Sequence, residues 1–322
     1  MLNAKRLTMG ILNRGERAPD FVLPIMDGSQ TRFYSRAGGR PTLLIFTGEE
    51  QVLEGLERSE EVDVFVVGPL GLAKANVTVF IDGENAVGKA YGLEGDFAAF
   101  ALDANLRVLL GIEDPNAFDQ VYRAFESLPS HRAIDVDVQA PVLLIPNVLT
   151  PDICQALINV WATQGNTETG VESSRSGIRR DVIDYENKKR RDHEVTDARL
   201  LRLLTSTVGR RVMPEVQRAF HYRATRFEGF KIACYDSESG GFFRAHRDNL
   251  SPSTAHRRFA LTLNLNDDYT GGHLIFPEFG PHRYRPSAGD AIAFSSSFLH
   301  EVQPVIRGRR FTLLSFLFHE GN

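Results

Sequence analysis

The sequence predicts two domains of different class, an α/β domain followed by an α+β domain whose strands form a jelly-roll barrel. Three observations predict it. The chain has 322 residues, long for one core and comfortable for two. Its first third alternates short apolar runs with helical stretches, the layout of one central sheet covered by helices. Beyond Phe227 the texture changes to strands separated by Gly-, Pro- and Asp-containing turns, and helices precede them, as in an antiparallel barrel braced by helices.

The elements follow in order. TLLIFTG, from Thr42, is a continuous apolar run closed by Gly, suited to a buried strand. EQVLEGLERSEE, Glu50 to Glu61, carries Val52, Leu53 and Leu56 at helical spacing. VDVFVVGP and NVTVFIDG are β-branched runs ending in turn residues. ENAVGKAYGL reads as helix, FAAFALDANLRVLLGI as a hairpin about Asp103, Ala104 and Asn105, and PNAFDQVYRAFESL as a helix with Pro115 near its start. The polar stretch from Ser127 to Pro141 is the best boundary. After it, Thr150 is placed to cap a helix with Pro151 in its first turn and Ile153, Leu157, Ile158 and Trp161 on one face. A second helix starts after Asp197 with Leu200, Leu201, Leu204 and Val208 as its stripe. FKIACY, RRFALTLNLN, HLIFPE, AIAFSSSFLH and RRFTLLSFLF are the barrel strands.

Composition narrows the function classes. A 42% hydrophobic and 24% charged chain is ordinary for a globular protein. Its formal net charge of -4 supplies no global attraction to nucleic acid or anionic membrane, so neither is expected as a partner. Cys154 and Cys234 are the only cysteines, too few for a disulfide framework and too far apart for a Cys-x-x-Cys motif. No signal-peptide pattern opens the chain, and no run approaches the ~18 apolar residues of a membrane span. A cytoplasmic location is the expectation.

The chemistry concentrates in FRAHRDNL, Phe243 to Leu250. A His-Arg-Asp triplet carries the catalytic base in protein kinases, but the magnesium-binding Asn expected five residues after the Asp is Ser253 here, and no Asp-Phe-Gly follows. The metal alternative fits better. A mononuclear Fe(II) site of the oxygenase type needs two imidazoles and one carboxylate on one face. His246 and Asp248, two apart on extended backbone, point the same way, and Arg247 points away. His300 ends a strand 52 residues beyond Asp248, where a distant strand can return beside the first. Arg310 opens the last strand. A keto acid bound to the metal would extend its distal carboxylate to such a guanidinium. Thr312, next on that face, would add a hydroxyl, and alternation turns Arg309 outward.

Two resemblances cover the chain. GERAPDFVLPIMDG, the strand after it, AYGLEG and FALDANLRV resemble the peroxiredoxin branch of the thioredoxin-like fold, over residues 14–130. Where that family places its reactive cysteine, this chain reads TGEEQV, with Glu49 and Glu50 and no thiol, so the domain is expected to be redox-inactive. IACYDSESGGFFRAHRDN, ALTLNLNDDYTGGHLIFPE, AGDAIAFSSSFLHEVQPV and GRRFTLL resemble the prolyl 4-hydroxylase type of 2-oxoglutarate and Fe(II)-dependent dioxygenase, a double-stranded β-helix, over residues 138–322. The resemblance implies Fe(II) at His246, Asp248 and His300, 2-oxoglutarate at Arg310, and Tyr235 lining the same pocket. It implies O2 as co-reactant, ascorbate as a further cofactor, and succinate and carbon dioxide as products. Because Asp248 is retained, where halogenating relatives carry a small residue, hydroxylation is the expected outcome. The substrate would be a protein side chain or amino-acid-like molecule, with the oligomeric state open. Oxygen-sensing members carry a pocket tyrosine on the strand matching Ala260 to Asn266, where this chain has Leu263.

Plainer readings stand beside these. Gly271 and Gly272 read as a tight turn, and both cysteines as small core residues. NKKRRDH, Asn187 to His193, reads as a solvated loop in preference to a lid over an acidic substrate. Arg244, Arg247, His256, Arg257 and Arg258 read equally well as barrel-surface charge or as a hold on a carboxylate. Two other functions stay open: a non-catalytic adaptor, and a cupin-type metalloenzyme that does not use 2-oxoglutarate.

Overall fold

The computed structural model describes residues 10–53, 61–69, 72, 77–129, 133–173 and 180–320. The chain divides into two compact units between Ala133 and Ile134.

The first unit is built on a five-stranded mixed sheet. Strands β1 (Thr42–Phe46), β2 (Asp63–Gly68) and β3 (Thr78–Ile81) run parallel, and β4 (Ala98–Leu102) and β5 (Val108–Ile112) add antiparallel on the other side of β1. Every residue of β1 is buried, as its unbroken apolar run predicts for a strand covered on both faces. Leu44 and Phe46 pack with Phe33, Phe80, Tyr91 and Phe100 on one face. Leu43 and Ile45 pack with Val66 and Val121 on the other. Val121 belongs to α2 (Phe118–Glu126), which follows a 3-10 turn at Pro115 capped by the Asp114 side chain. The helix α1 (Ala86–Ala90) and the hairpin at Asp103–Arg107 also form. The helix expected from Glu50 begins as a 3-10 turn over Glu50–Leu53; its continuation lies outside the described residues.

In the second unit, α3 (Pro151–Thr163), α4 (Ala198–Arg211) and α5 (Met213–Phe220) pack on one face of a large antiparallel sheet. Thr150 accepts from the Ile153 N–H and Asp197 from Arg199 and Leu200, so both expected caps are made. Trp161 of α3 donates its indole N–H to the Arg191 carbonyl and packs edge-on against Phe311, 5.2 Å between ring centres.

The large sheet runs, in spatial order, through β6 (Leu143–Ile145), β15 (Ala291–Ser295), β12 (Phe259–Asn264), β17 (Arg309–Phe318), β10 (Lys231–Asp236), β9 (Arg191–Glu194) and β7 (Thr167–Glu168). A smaller five-stranded sheet runs through β8 (Lys188–Lys189), β11 (Phe242–His246), β16 (His300–Val302), β13 (Leu274–Ile275) and β14 (Arg283–Tyr284). Two antiparallel sheets assembled from interleaved strands are the jelly roll that the strand series predicts. Strand alternation then sorts the side chains. Leu263, Phe311, Leu313 and Leu317 turn to the helices, whereas Ala260, Thr262, Arg310, Thr312, Leu314 and Phe316 line the cavity inside the barrel.

The Asn187–His193 run is not a solvated loop. It supplies β8 and the start of β9, with Lys188 7% and Asp192 5% exposed. Backbone pairing to Phe243 and to Cys234 explains the difference: cross-strand bonds hold these residues in the barrel wall, and every second charge turns inward. Both cysteines are buried, and burial raises the thiols of Cys154 to about 11 and Cys234 to about 12. They remain protonated packing groups.

Candidate metal centre

His246 and His300 sit directly opposite each other across β11 and β16, next to a bulge that shifts register between Phe243 and His246. Such a bulge re-aims the side chains beyond it. Asp248 follows β11 and is held by its own N–H, which donates to the Ser296 carbonyl at 3.0 Å. The potential ligand atoms of His246, Asp248 and His300 all lie within 4.8 Å of one another. His246 Nε2 is 3.6 Å from one Asp248 oxygen and His300 Nε2 3.4 Å from the other.

Both imidazoles are oriented from behind. His246 Nδ1 lies 2.7 Å from the Arg244 carbonyl and His300 Nδ1 3.0 Å from the Phe298 carbonyl. A carbonyl can only accept, so each Nδ1 carries the proton and each Nε2 lone pair faces Asp248. Phe243 stacks on His246 with ring centres 3.5 Å apart. Burial, with the His300 ring adjacent, pushes the His246 imidazole down to about 2. Burial raises the Asp248 carboxyl above its ordinary range, against opposing pulls from His300 and Arg257. Neutral imidazoles are the form that binds a metal, and a divalent cation answers the cost of burying the carboxylate. The donor set, two nitrogens and one carboxylate oxygen on one side, fits a cation of the Fe(II) type.

The cavity beside these residues has a volume of about 1240 Å³. Arg310, at its wall, is 3% exposed, yet its Nε and Nη1 have no hydrogen-bond partner among the described residues, and neither has Thr312 Oγ1. Leaving a buried guanidinium unanswered costs several kcal/mol or more, so the pair fits an anionic ligand. Tyr235 of β10 lies directly opposite Arg310 of β17, its ring centre 5.5 Å from the guanidinium carbon. Arg309 turns outward to Asp236 at 2.7 Å. All six expected site residues therefore surround one cavity.

Other expectations resolve differently. Arg247 forks onto Glu278 (2.6 and 3.1 Å) and donates to the Ser297 carbonyl. Arg257 forks onto Glu228 (2.5 and 2.7 Å), and His256 reaches the same carboxylate. Both guanidinium groups are answered within the protein and brace the loop around Asp248. Leu263 does not face the cavity; it packs against the helices, and Thr262 and Ala260 occupy the cavity face of that strand. The residue missed by sequence reasoning is Arg190, which lines the cavity between Tyr235 and Phe243. Its signal was the two-residue spacing of Lys188, Arg190 and Asp192.

Fold and donors together define a jelly-roll domain with a two-histidine, one-carboxylate face beside a buried anion pocket. Residues 230–318 match the family model described as the 2OG-Fe(II) oxygenase superfamily. A PKHD-type hydroxylase of Synechococcus sp. is 34% identical over 93 residues, 27% of this chain and 41% of that protein. One of Pseudomonas fluorescens is 38% identical over 89 residues, 25% of this chain and 38% of that protein. The chain thus spans about two fifths of the curated relatives it matches. Among solved structures, a Pseudomonas putida prolyl-4-hydroxylase shares 18% identity at a TM-score of 0.42, covering 57% of this chain and 95% of its own. A putative thiol:disulfide interchange protein DsbE from Chlorobium tepidum shares 23% identity at a TM-score of 0.30, covering 35% and 97%. Among the described residues, no helix is long and apolar enough to cross a membrane.

Proposed function

We propose that the protein is an Fe(II)- and 2-oxoglutarate-dependent dioxygenase that hydroxylates a protein side chain or an amino-acid-like substrate. The observation that carries this reading is the buried, unpartnered Arg310 guanidinium on the wall of the cavity that also holds His246, Asp248 and His300. Such a cation supports a carboxylate-bearing cosubstrate bound beside the metal. When bound, the metal with 2-oxoglutarate and O2 supplies oxidative decarboxylation to succinate and carbon dioxide, with one oxygen atom inserted into a substrate C–H bond.

The chain's own residues do the rest. His246, Asp248 and His300 would hold Fe(II) and, bonding from one side, leave positions for two further ligands and O2. Arg310 would take the distal carboxylate through charge-assisted hydrogen bonds, assisted by the Thr312 and Tyr235 hydroxyls. Leu274, Phe294 and Val302 form an apolar inner wall that keeps water from this end. We assign the catalytic domain to residues 138–322, and read residues 14–130 as a thioredoxin-like domain used for docking, since Gly48, Glu49 and Glu50 follow β1 without a thiol. The direct test is succinate formation: iron-loaded protein given 2-oxoglutarate and air should release it, and release that is unchanged on omitting iron would sink the reading.

Gly272 supports the cosubstrate wall from behind. Its φ is +62°, and a Cβ there would lie 3.0 Å from Arg310 Cδ and 3.0 Å from Val305 Cγ2. Gly272→Ala adds left-handed strain of about 1–2 kcal/mol and displaces Arg310. Calorimetry should show 2-oxoglutarate affinity falling about tenfold, the effect of a lost hydrogen bond to a charged group, with metal affinity unchanged. Equal losses of both would place the damage elsewhere.

A further inference from the structure

We propose that Arg190, held by Asp192, is a positioning residue that aims the Tyr235 hydroxyl into the cosubstrate pocket; this rests on the oxygenase reading above. Asp192 grips Arg190 by a fork, Nε to Oδ1 at 2.7 Å and Nη2 to Oδ2 at 2.6 Å. Thr169 Oγ1 donates to the same carboxylate at 3.0 Å. The remaining arm, Arg190 Nη1, donates to the Tyr235 oxygen at 3.2 Å. The guanidinium carbon lies 5.7 Å from the Tyr235 ring centre and 5.8 Å from that of Phe243, the ring stacked on His246.

Donor chemistry gives this arrangement a direction. A guanidinium has no acceptor, so the phenol must be the acceptor in its bond to Arg190, and its single hydrogen stays available for another partner. Donation into the oxygen also strengthens that O–H as a donor. Tyr235 is 2% exposed and lines the cavity, with Arg310 opposite it in register. The free phenol hydrogen is therefore available to a carboxylate held by Arg310. Arg190 does not compete for that carboxylate, because Asp192 answers its charge, whereas no acidic side chain among the described residues pairs with Arg310. The run that reads in sequence as surface charge thus supplies a neutral bracket behind one hydroxyl.

The test measures 2-oxoglutarate binding by calorimetry to the full-length protein loaded with Mn(II), which requires no turnover. Removing Arg190 alone would strand a buried carboxylate, so the variant is Arg190→Met with Asp192→Leu, compared with Tyr235→Phe and with all three changes together. Each of the first two should weaken binding about tenfold. The combination should weaken it by little more than either one, because both remove the same hydrogen bond. Mn(II) affinity and melting temperature report whether each variant is folded; should the pair variant not fold, Arg190→Lys, which lacks the fork, is compared in its place. Wild-type affinity in the Arg190 variant overturns the inference, as do losses that multiply to about a hundredfold in the combination. Absence of 2-oxoglutarate binding in the unaltered Mn(II) protein overturns the oxygenase reading and this inference with it.

Discussion

Replacing Arg310 with methionine is expected to abolish useful 2-oxoglutarate binding while making the cosubstrate-free protein more stable. The two effects have one origin. Arg310 is 3% exposed, and its Nε and Nη1 have no partner among the described residues. Buried donors left unmade cost about 1–3 kcal/mol, and an apolar group of similar shape avoids that cost. Methionine preserves much of the side chain's volume beside Tyr235. For a unit of this size, melting should therefore rise by roughly 2–4 °C per kcal/mol recovered. In the bound state the balance reverses. Truncating one partner of a buried, hydrogen-bonded charge pair costs about 2–5 kcal/mol, so affinity should fall by roughly 30-fold to about 4,000-fold. Arg309→Met is the matched control. That residue is half exposed and pairs with Asp236 on the outer face, a contact worth about 0–1 kcal/mol, and its replacement should leave cosubstrate affinity within about twofold. Calorimetry and thermal melting of the two variants give both numbers. Equal cosubstrate affinity in wild type and Arg310→Met would remove Arg310 from the site.

Much of this centre is legible in the sequence. Period-two alternation placed Arg310 and Thr312 inward and Arg309 outward, because a ten-residue strand leaves no freedom in which face each residue takes. The caps at Thr150 and Asp197 were equally readable, since each hydroxyl or carboxylate precedes a helical stripe. The rest depends on pairing partners that local pattern does not contain. Lys188–Lys189 and Arg191–Glu194 are strands of two and four residues, too short to display a period. Their charges read as solvated because the fork from Asp192 to Arg190 is invisible without the barrel. The resemblance aligns Leu263 with a pocket residue, but a shift of one position puts a side chain on the other face, and Thr262 is the residue facing the cavity. The opposition of His246 to His300 was expected only as proximity. The bulge after Phe243 that makes it direct has no compositional signature, and neither has the close approach of Gly272 to Arg310.

Asp248→Ala is expected to uncouple the protein from its metal without harming the fold. Asp248 bridges the two imidazoles, with one oxygen 3.6 Å from His246 Nε2 and the other 3.4 Å from His300 Nε2. Removing a direct ligand should cost more than the roughly 10–100-fold lost when only an outer partner of a ligand is changed. Thermal melting with added Mn(II) reads this sensitively. At a concentration of about 100 times the wild-type dissociation constant, binding stabilises the native state by about 2.7 kcal/mol; a hundredfold weaker variant would retain only about 0.4 kcal/mol. Without metal the order of stability should invert, and pH gives the sign. Burial raises the Asp248 carboxyl above its ordinary value, so the folded chain holds this proton more tightly than the unfolded one. Stability is then lost as pH rises from the ordinary carboxylate range through the raised value, because ionisation is harder in the fold. Asp248→Ala lacks that loss, and at neutral pH the metal-free variant should melt at or above wild type. His300→Ala separates the two contributions: it also removes a metal ligand but keeps the buried carboxylate, so it should lose Mn(II) stabilisation and, unlike Asp248→Ala, still lose stability as pH rises when metal-free. A Mn(II) shift retained in Asp248→Ala would exclude that carboxylate as a ligand. A metal-free Asp248→Ala protein less stable than His300→Ala would show instead that the carboxylate holds the barrel together.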